Sequence, residues 1–559
     1  MENAAIIDAI SLFASLLEIH GENDFKVKSY HNALFHLEKI DQNLSEMTLP
    51  AIQQLQGVGK AIAEKIHQMA QNNAFPQLDA LVEKTPQGII DMLEIKGLGA
   101  KKIRTIWQEL HIENTDQLQQ ACQNNQIAQL KGFGEKTQEN IKKALLFKIE
   151  NAEKLHFAKA LTITQTLIQA IQKQIDIPIA PIKQMARQYE VIDSIAILCA
   201  TEKTELLFQY LDQYPQIEKN NTQSGLYAWR GKWKNNPIHL EILTCKPDNF
   251  VYEQWLWSAH PQHLQQKNIL QSLKNKTQKW QSDQEIYQTL ELPYIIAPMR
   301  EGHHEWQWAE KYNHQQIITL ADIKGILHAH STYSDGKNSL QQMAEACKQK
   351  GYQYLGITDH SKTAFYANGL PPYKVEQQHK EIDQINTQLK DFVLFKGIES
   401  DILADGSLDY DPEILHTFDF IIASVHANLN MTQEKATQRL IKAIENPHTT
   451  LLGHPTGRLL LNREGYPIDH QKVIDACYQN QVAIEINANP WRLDIDWRWV
   501  YKAMEKGVLI SINPDAHSIA GIDDTQYGIY VAQKAGLIKE ATLNALEATE
   551  IKKFFDRKK

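Results

Sequence analysis

The chain has 559 residues, 43% hydrophobic and 22% charged, and a formal net charge of −9. That length and balance describe a soluble globular protein of three or four domains, and the acidity disfavours a general polyanion binder. No apolar run approaches the roughly 18 residues of a membrane span, and five scattered cysteines (Cys122, Cys199, Cys245, Cys347, Cys477) supply neither a disulfide framework nor a thiolate zinc site.

The start, "MENAAIIDAISLFASLLEIH", carries acids where a secretory signal has a basic region, so a reducing cytoplasm is the expected home. Ile6, Ile10, Phe13, Leu16 and Leu17 recur at helical spacing. Three later segments share one pattern: "LQGVGKAIAEKI" (Leu55–Ile66), "IKGLGAKKIRTI" (Ile95–Ile106) and "LKGFGEKTQENI" (Leu130–Ile141). Each reads apolar residue, any residue, Gly, apolar residue, Gly, then an amphipathic helix. The glycines permit a tight turn. The turn opens a helix whose first N–H groups are free to face an anion. Gly57 and Gly59, Gly97 and Gly99, and Gly132 and Gly134 form the turns, with Lys60, Lys65, Lys101, Lys102 and Lys136 beside them.

The pattern resembles the helix-hairpin-helix element, which grips the DNA backbone without reading sequence. "GENDFKVKSYHNALFHLE" (Gly21–Glu38) and the first hairpin resemble the N-terminal domain of X-family DNA polymerases. That resemblance implies a lysine at Lys65 able, in some members, to form a Schiff base with an abasic sugar; a plain surface lysine is the alternative.

The likeness to the X family continues through residues 151–305, where it implies a palm with two aspartates at i and i+2 of a strand and a third on a neighbouring strand, holding two magnesium ions. Here the matching strand is "EVIDSIAILCAT", and its two positions are Ser194 and Ala196. The third falls at His239, and the triphosphate-binding turn reads Lys183–Gln184. Asp193 and Glu241 stand nearby, so either the polymerase site is lost or it is displaced. "YAWRGKW" (Tyr227–Trp233) is either a base-stacking surface or a packed hairpin.

From Gly325 short apolar runs alternate with helical stretches, and nearly every run ends in a polar residue able to bind metal. "GILHAHSTYSDG" supplies His328, His330 and Asp335; "YQYLGITDH" supplies Asp359 and His360; "FVLFKGIES" supplies Glu399. "FDFIIASVH", "TTLLGHP" and "GVLISINPDAH" supply His426, His454, and Asp515 with His517, while "QVAIEINANP" offers Glu485, Asn487 and Asn489. In βα barrels the chemistry sits at the C-terminal strand ends.

This spacing is similar to the PHP (polymerase and histidinol phosphatase) family. The resemblance implies a distorted seven-stranded barrel with up to three divalent ions. His328, His330, Glu399 and Asp515 would hold one, Asp335, His360 and His517 a second, and Glu399, His426 and His454 a third. Oxygen and nitrogen donors without thiolate suit Zn²⁺, Mn²⁺ or Fe²⁺. Such ions acidify water and polarise phosphoryl oxygens, the chemistry of phosphoester hydrolysis. Arg458 and Arg492 either clamp the phosphate as catalytic-site cations or pair with local carboxylates. Lys362 is a further cation near the mouth, and His379, His416, His448 and His470 are expected at the surface.

The expectation is therefore a multidomain chain: an all-α region with helix-hairpin-helix elements (1–85 and a fingers-like 86–150), an α+β nucleotidyltransferase-like palm and thumb (151–305), and an α/β PHP domain with a distorted (β/α)7 barrel (320–559). The implied function is DNA repair by metal-dependent phosphoester hydrolysis, with DNA as partner and no membrane. Small-molecule phosphatase, non-catalytic DNA scaffold and active polymerase are the competing readings.

Overall fold

The computed structural model describes residues 3–38, 40, 42–72, 74–273 and 278–557, and it divides into two compact units, Met1–Ala152 and Glu153–Lys559. The first unit is helical. Its opening helix, Asn3–Ile19, serves two cores from two faces. Ile6, Ile10, Phe13 and Leu17 join Tyr30, Ile62 and Ile66 in one core, whereas Leu16 and Ile19 join Ile89, Ile103 and Ile141 in the other. Each Gly-X-Gly turn leads into a helix, at Lys60–Asn72, Ala100–Leu110 and Glu135–Asn151. In the middle one Ile103 and Ile106 are buried, three residues apart, which leaves Lys101 on the outer face.

The second unit begins with β1 (Leu155–His156), β2 (Ile179–Pro181), β3 (Val191–Ile192), β4 (Ser194–Ala200), β5 (Ile217–Lys219), β6 (Ala228–Trp233) and β7 (Asn236–Cys245). Five of these form a sheet in the order β2–β4–β7–β6–β5, with β4 and β7 parallel, and β1 pairs separately with β3. Alternation along β4 sends Ile195, Ile197 and Cys199 into a core with Trp229, Leu240 and Ile242, while Ala196 and Leu198 meet Ile182 and Leu243 on the other face.

Seven further strands follow: β8 (Gly325–Ile326), β9 (Tyr354–Ile357), β10 (Val393–Asp401), β11 (Phe420–Ser424), β12 (Leu451–Leu452), β13 (Ala483–Asn487) and β14 (Ile510–Asn513). They lie side by side in chain order, all parallel. Helices such as Leu340–Gln349, Pro372–Gln388 and Gln433–Ile444 cross between them. β11 is buried at every residue, as a parallel strand covered on both faces must be. A bridge between Ala329 and Ala516, with the His330 N–H donating to the Ala516 carbonyl at 2.8 Å, brings the first and last strands together. The barrel is distorted: β8 has two residues and β10 nine.

Of the four histidines expected at the surface, His416 is exposed and the others are half-buried. His379 meets the ring of Phe418 edge-on at 4.9 Å, and burial pushes its imidazole down to about 4. His470 lies flat on Trp499 at 4.3 Å. Both sit on helices that pack an aromatic neighbour, which a polar residue type does not announce. Among the described residues no helix is long and apolar enough to cross a membrane.

Candidate metal centre

The barrel brings all nine proposed ligands to its C-terminal end. His328 and His330 follow β8, His360 follows β9, Glu399 lies in β10, His426 follows β11, His454 follows β12, and Asp515 and His517 follow β14. Glu399 is the hub. Its Oε1 lies 2.9 Å from His454 Nε2, 3.1 Å from His426 Nε2 and 3.5 Å from His328 Nε2. Its Oε2 lies 3.0 Å from His360 Nδ1 and 3.7 Å from His330 Nε2. Asp515 Oδ1 is 3.1 Å from His330 Nε2 and 3.4 Å from His328 Nε2. Asp335 Oδ2 is 3.4 Å from His517 Nε2 and 3.6 Å from His360 Nε2.

The donor atoms fall into three groups close enough to share an ion: His330, Asp335, His360 and His517; His328, His330 and Asp515; and His360, Glu399 and His426. This differs from the grouping implied by family resemblance, because His330 and His360 each stand between two groups. His454 touches Glu399 without joining a trio.

The residues fit divalent ions. His328 Nε2, His330 Nδ1, His360 Nδ1, His454 Nδ1 and Glu399 Oε2 are buried and satisfied by no hydrogen bond. Buried polar atoms left so are costly, and a shared cation is what their convergence would serve. His454 and Asp515 also hold positive φ, 21° and 54°, backbone strain of the kind that collects at working sites.

Two acids stand behind the ring: Glu485, which the strand-end pattern names without making it a ligand, and Asp401, which that pattern does not name. Glu485 is fully buried; its Oε1 accepts from His328 Nδ1 at 2.7 Å, and its Oε2 takes the His454 N–H at 2.9 Å. Asp401 accepts from His426 Nδ1 at 2.6 Å. Each carboxylate fixes a tautomer and leaves Nε2 of that histidine free to ligate. The signal lay in i, i+2 spacing on a strand: Glu399 with Asp401 in "ESD", and Glu485 with Asn487, whose amide donates to Asp515 at 3.0 Å. Glu485→Gln should cost about 10- to 100-fold in metal affinity, as measured by equilibrium dialysis.

The electrostatics follow from imidazoles and carboxylates packed together in a buried ring. For Glu399 and Asp515 burial would raise the carboxyls, but the surrounding imidazoles hold both well below the usual range. Burial likewise opposes charge on His426, yet Glu399 and Asp401 push it up to about 10. His330 moves the other way, to about 3, through burial and its neighbours His517 and His360.

The two arginines part company. Arg492 reaches the centre, with Nε 3.6 Å from Asp515 Oδ2. Arg458 corrects the expectation of a phosphate clamp. Its guanidinium bonds Asp496 at 2.8 Å and the carbonyls of Arg492 and Leu493, and it faces Glu190 of the palm at 3.5 Å. It therefore takes the other reading left open for it, pairing with carboxylates and holding the loop that carries Arg492. Lys362 lies over Tyr410, 5.5 Å from the ring centre.

In the helical unit the first glycine of each hairpin takes left-handed φ, 76° at Gly57, 81° at Gly97 and 85° at Gly132. No heavy atom lies within 4 Å of where a Cβ would stand at Gly59, Gly99 or Gly134, so the helix starts are open to a phosphate. Lys60, Lys101 and Lys136 are exposed beside them. Lys102 folds back to the Gly97 carbonyl at 2.9 Å. Lys65 donates to the Ala61 carbonyl at 3.2 Å, and burial together with nearby Lys26 lowers its amine.

In the palm, Ser194 pairs with His239 and Ala196 with Glu241 across β4 and β7. Glu241 is bonded by Lys183 and by Arg230 Nη2 at 2.7 Å; burial would raise its carboxyl, but these cations hold it below the usual value. Asp193 exchanges two hydrogen bonds with the Gln184 side chain, 2.8 and 2.9 Å. Among the described residues, no group of three acids, histidines or cysteines in the palm is close enough to hold an ion.

A parallel barrel ringed with imidazoles and carboxylates, in one chain with repeated Gly-X-Gly hairpins, defines a PHP-domain protein with helix-hairpin-helix elements. Family comparison agrees, matching residues 326–489 to the PHP domain, 1–75 to the helix-hairpin-helix domain and 89–145 to the SAM-like helix-hairpin-helix tandem. The chain is 32% identical over 573 residues, the full length of both, to the DNA polymerase/3′-5′ exonuclease PolX of Bacillus subtilis (strain 168), and it belongs to the PolX family. A protein of Thermoanaerobacter sp. (strain X514) named "Probable phosphatase" is 27% identical over 250 residues, covering 42% of this chain and 97% of that one. One of the same name from Caldicellulosiruptor saccharolyticus is 31% identical over 200 residues, 34% of this chain and 78% of its own.

Proposed function

We propose that the barrel hydrolyses phosphoesters at DNA ends, as a 3′–5′ exonuclease or in 3′-end or abasic-site processing, and that the palm no longer polymerises. The observation that carries this is the meeting of nine candidate ligands, Glu399 at their hub, with buried donor atoms left unsatisfied. Zn²⁺, Mn²⁺ or Fe²⁺ would be held by His328, His330 and Asp515, by His330, Asp335, His360 and His517, and by His360, Glu399 and His426, with His454 against Glu399. Bound there, such ions would supply a nucleophilic water near neutral pH and Lewis acidity at the phosphoryl oxygens. The chain's own part is positioning: Glu485 and Asp401 aim imidazoles, and Arg492 presents a planar cation to the phosphate.

Loss of polymerisation rests on chemistry rather than fold. Ser194, Ala196 and His239 replace three carboxylates, and the acid paired with Ala196, Glu241, is neutralised by Lys183 and Arg230. We assign 1–85 and 86–150 to backbone grip, 151–305 to a platform and 320–559 to catalysis, in a cytoplasmic enzyme. The phosphatase-named relatives keep a small-molecule substrate as the second reading. The hairpins favour DNA, because a soluble monoester needs no backbone grip.

The test is a labelled primer–template with Mn²⁺, with and without nucleotides. Shortening is expected, and His328→Ala with His330→Ala should abolish it; lengthening would overturn the reading of Ser194 and Ala196. For the hairpins, neutralising about four phosphates gives a slope near −3.6 for log affinity against log salt, and a flat dependence would count against them.

A further inference from the structure

The loop after His360 presents two adjacent aromatic side chains to water. Phe365 is 87% exposed and Tyr366 63% exposed. Exposed apolar residues are ordinary when scattered, but these stand side by side at the rim of the metal centre. The Tyr366 ring centre is 6.1 Å from that of His360. The loop is firmly held at its base. The Leu370 N–H donates to the His360 carbonyl at 2.8 Å, and the Ser361 N–H to the Glu399 carbonyl at 3.1 Å. Thr363 ties it to the acids behind the ring, its hydroxyl donating to Asp401 at 2.7 Å and its N–H to Asp409 at 2.7 Å. Asn368, in left-handed conformation, donates to the Tyr333 carbonyl of the loop that carries Asp335 at 3.1 Å. The backbone that carries the two rings is thus tied down beside the ligands.

We infer that Tyr366, supported by Phe365, is a specificity-determining residue that stacks the terminal nucleobase of the DNA strand whose phosphoester lies at the metal centre. The inference rests on the reading of the barrel as a DNA phosphoesterase and names what that site recognises beyond phosphate. Every base has a π-face, so the contact would select for a base without selecting its identity. A phosphomonoester without a base would gain nothing from it, which separates this substrate class from small-molecule monoesters.

The test compares Mn²⁺-supported cleavage of the terminal phosphoester in two single-stranded oligonucleotides, one ending in a normal 3′-nucleotide and one in a 3′-tetrahydrofuran abasic analogue. The wild type should favour the base-bearing end in kcat/KM, chiefly through KM, by about 5- to 150-fold, the range that stacking one base supports. Tyr366→Ala should collapse that ratio towards one, and Tyr366→Trp should restore it. Equal losses on both ends, or an undisturbed ratio, would overturn the inference and leave the phosphoesterase reading standing. A wild type that cleaves neither end would bring down both.

Discussion

Glu399→Gln lowers Mn²⁺-supported nucleotide release by roughly a thousandfold or more. This carboxylate lies within 3.7 Å of five imidazoles, so it is the one side chain whose charge every part of the centre shares. A Lewis-acidic ion supplies several kcal/mol of transition-state stabilisation, and each 1.36 kcal/mol is about tenfold in rate. Losing an ion, or misplacing two, therefore removes about three orders of magnitude. Glutamine keeps the volume, so the fold should survive, and the metal content measured by emission spectroscopy should fall with the rate. Full metal content with an undiminished rate would show that Glu399 is not the hub. The metal-free variant should also lose the raised titration of His426, because Glu399 is the largest influence that raises it.

The convergence of the candidate ligands is legible because barrels put chemistry at strand ends, and nearly every short apolar run ends in a residue able to bind metal. The repeated turns are legible because Gly57, Gly97 and Gly132 occupy left-handed backbone that other residues rarely adopt. Pairings across long stretches of chain are not legible. Arg458 meets Glu190, 268 residues away, only because the palm and the barrel fold into one unit. Lys183, itself in left-handed conformation, neutralises Glu241 58 residues away, a pairing the residue types alone do not announce. The division of ligands into groups also escapes sequence, since spacing names His330 and His360 as ligands but not as neighbours of two groups each.

Glu301→Gln destabilises the palm-and-barrel unit by about 3–5 kcal/mol, the usual consequence of breaking a buried ion pair. Glu301 lies in "PMREG", where the palm ends, and it is buried with three donors upon it. Arg187 Nε reaches it at 3.0 Å, Tyr189 OH at 2.7 Å, and Lys534 arrives from the last long barrel helix, Thr525–Ala535. Glutamine leaves two cations in a dry site without the carboxylate they both bond. Replacing Glu301, Lys534 and Arg187 together by apolar residues of similar volume should recover most of the loss, since what is costly is the orphaned charge rather than the missing pair. The pH dependence has a definite sign. Burial, opposed by Glu301, pushes Lys534 down to about 8 from an ordinary 10.5. Between those values the unfolded chain binds the proton more tightly, so this group's contribution to stability rises with pH. Without Glu301 the lysine falls further and sheds its proton sooner, so the gap between variant and wild type in urea midpoint should be widest below pH 8 and narrow above it. A gap that instead widened with pH would mean that Lys534 is not the charge Glu301 neutralises.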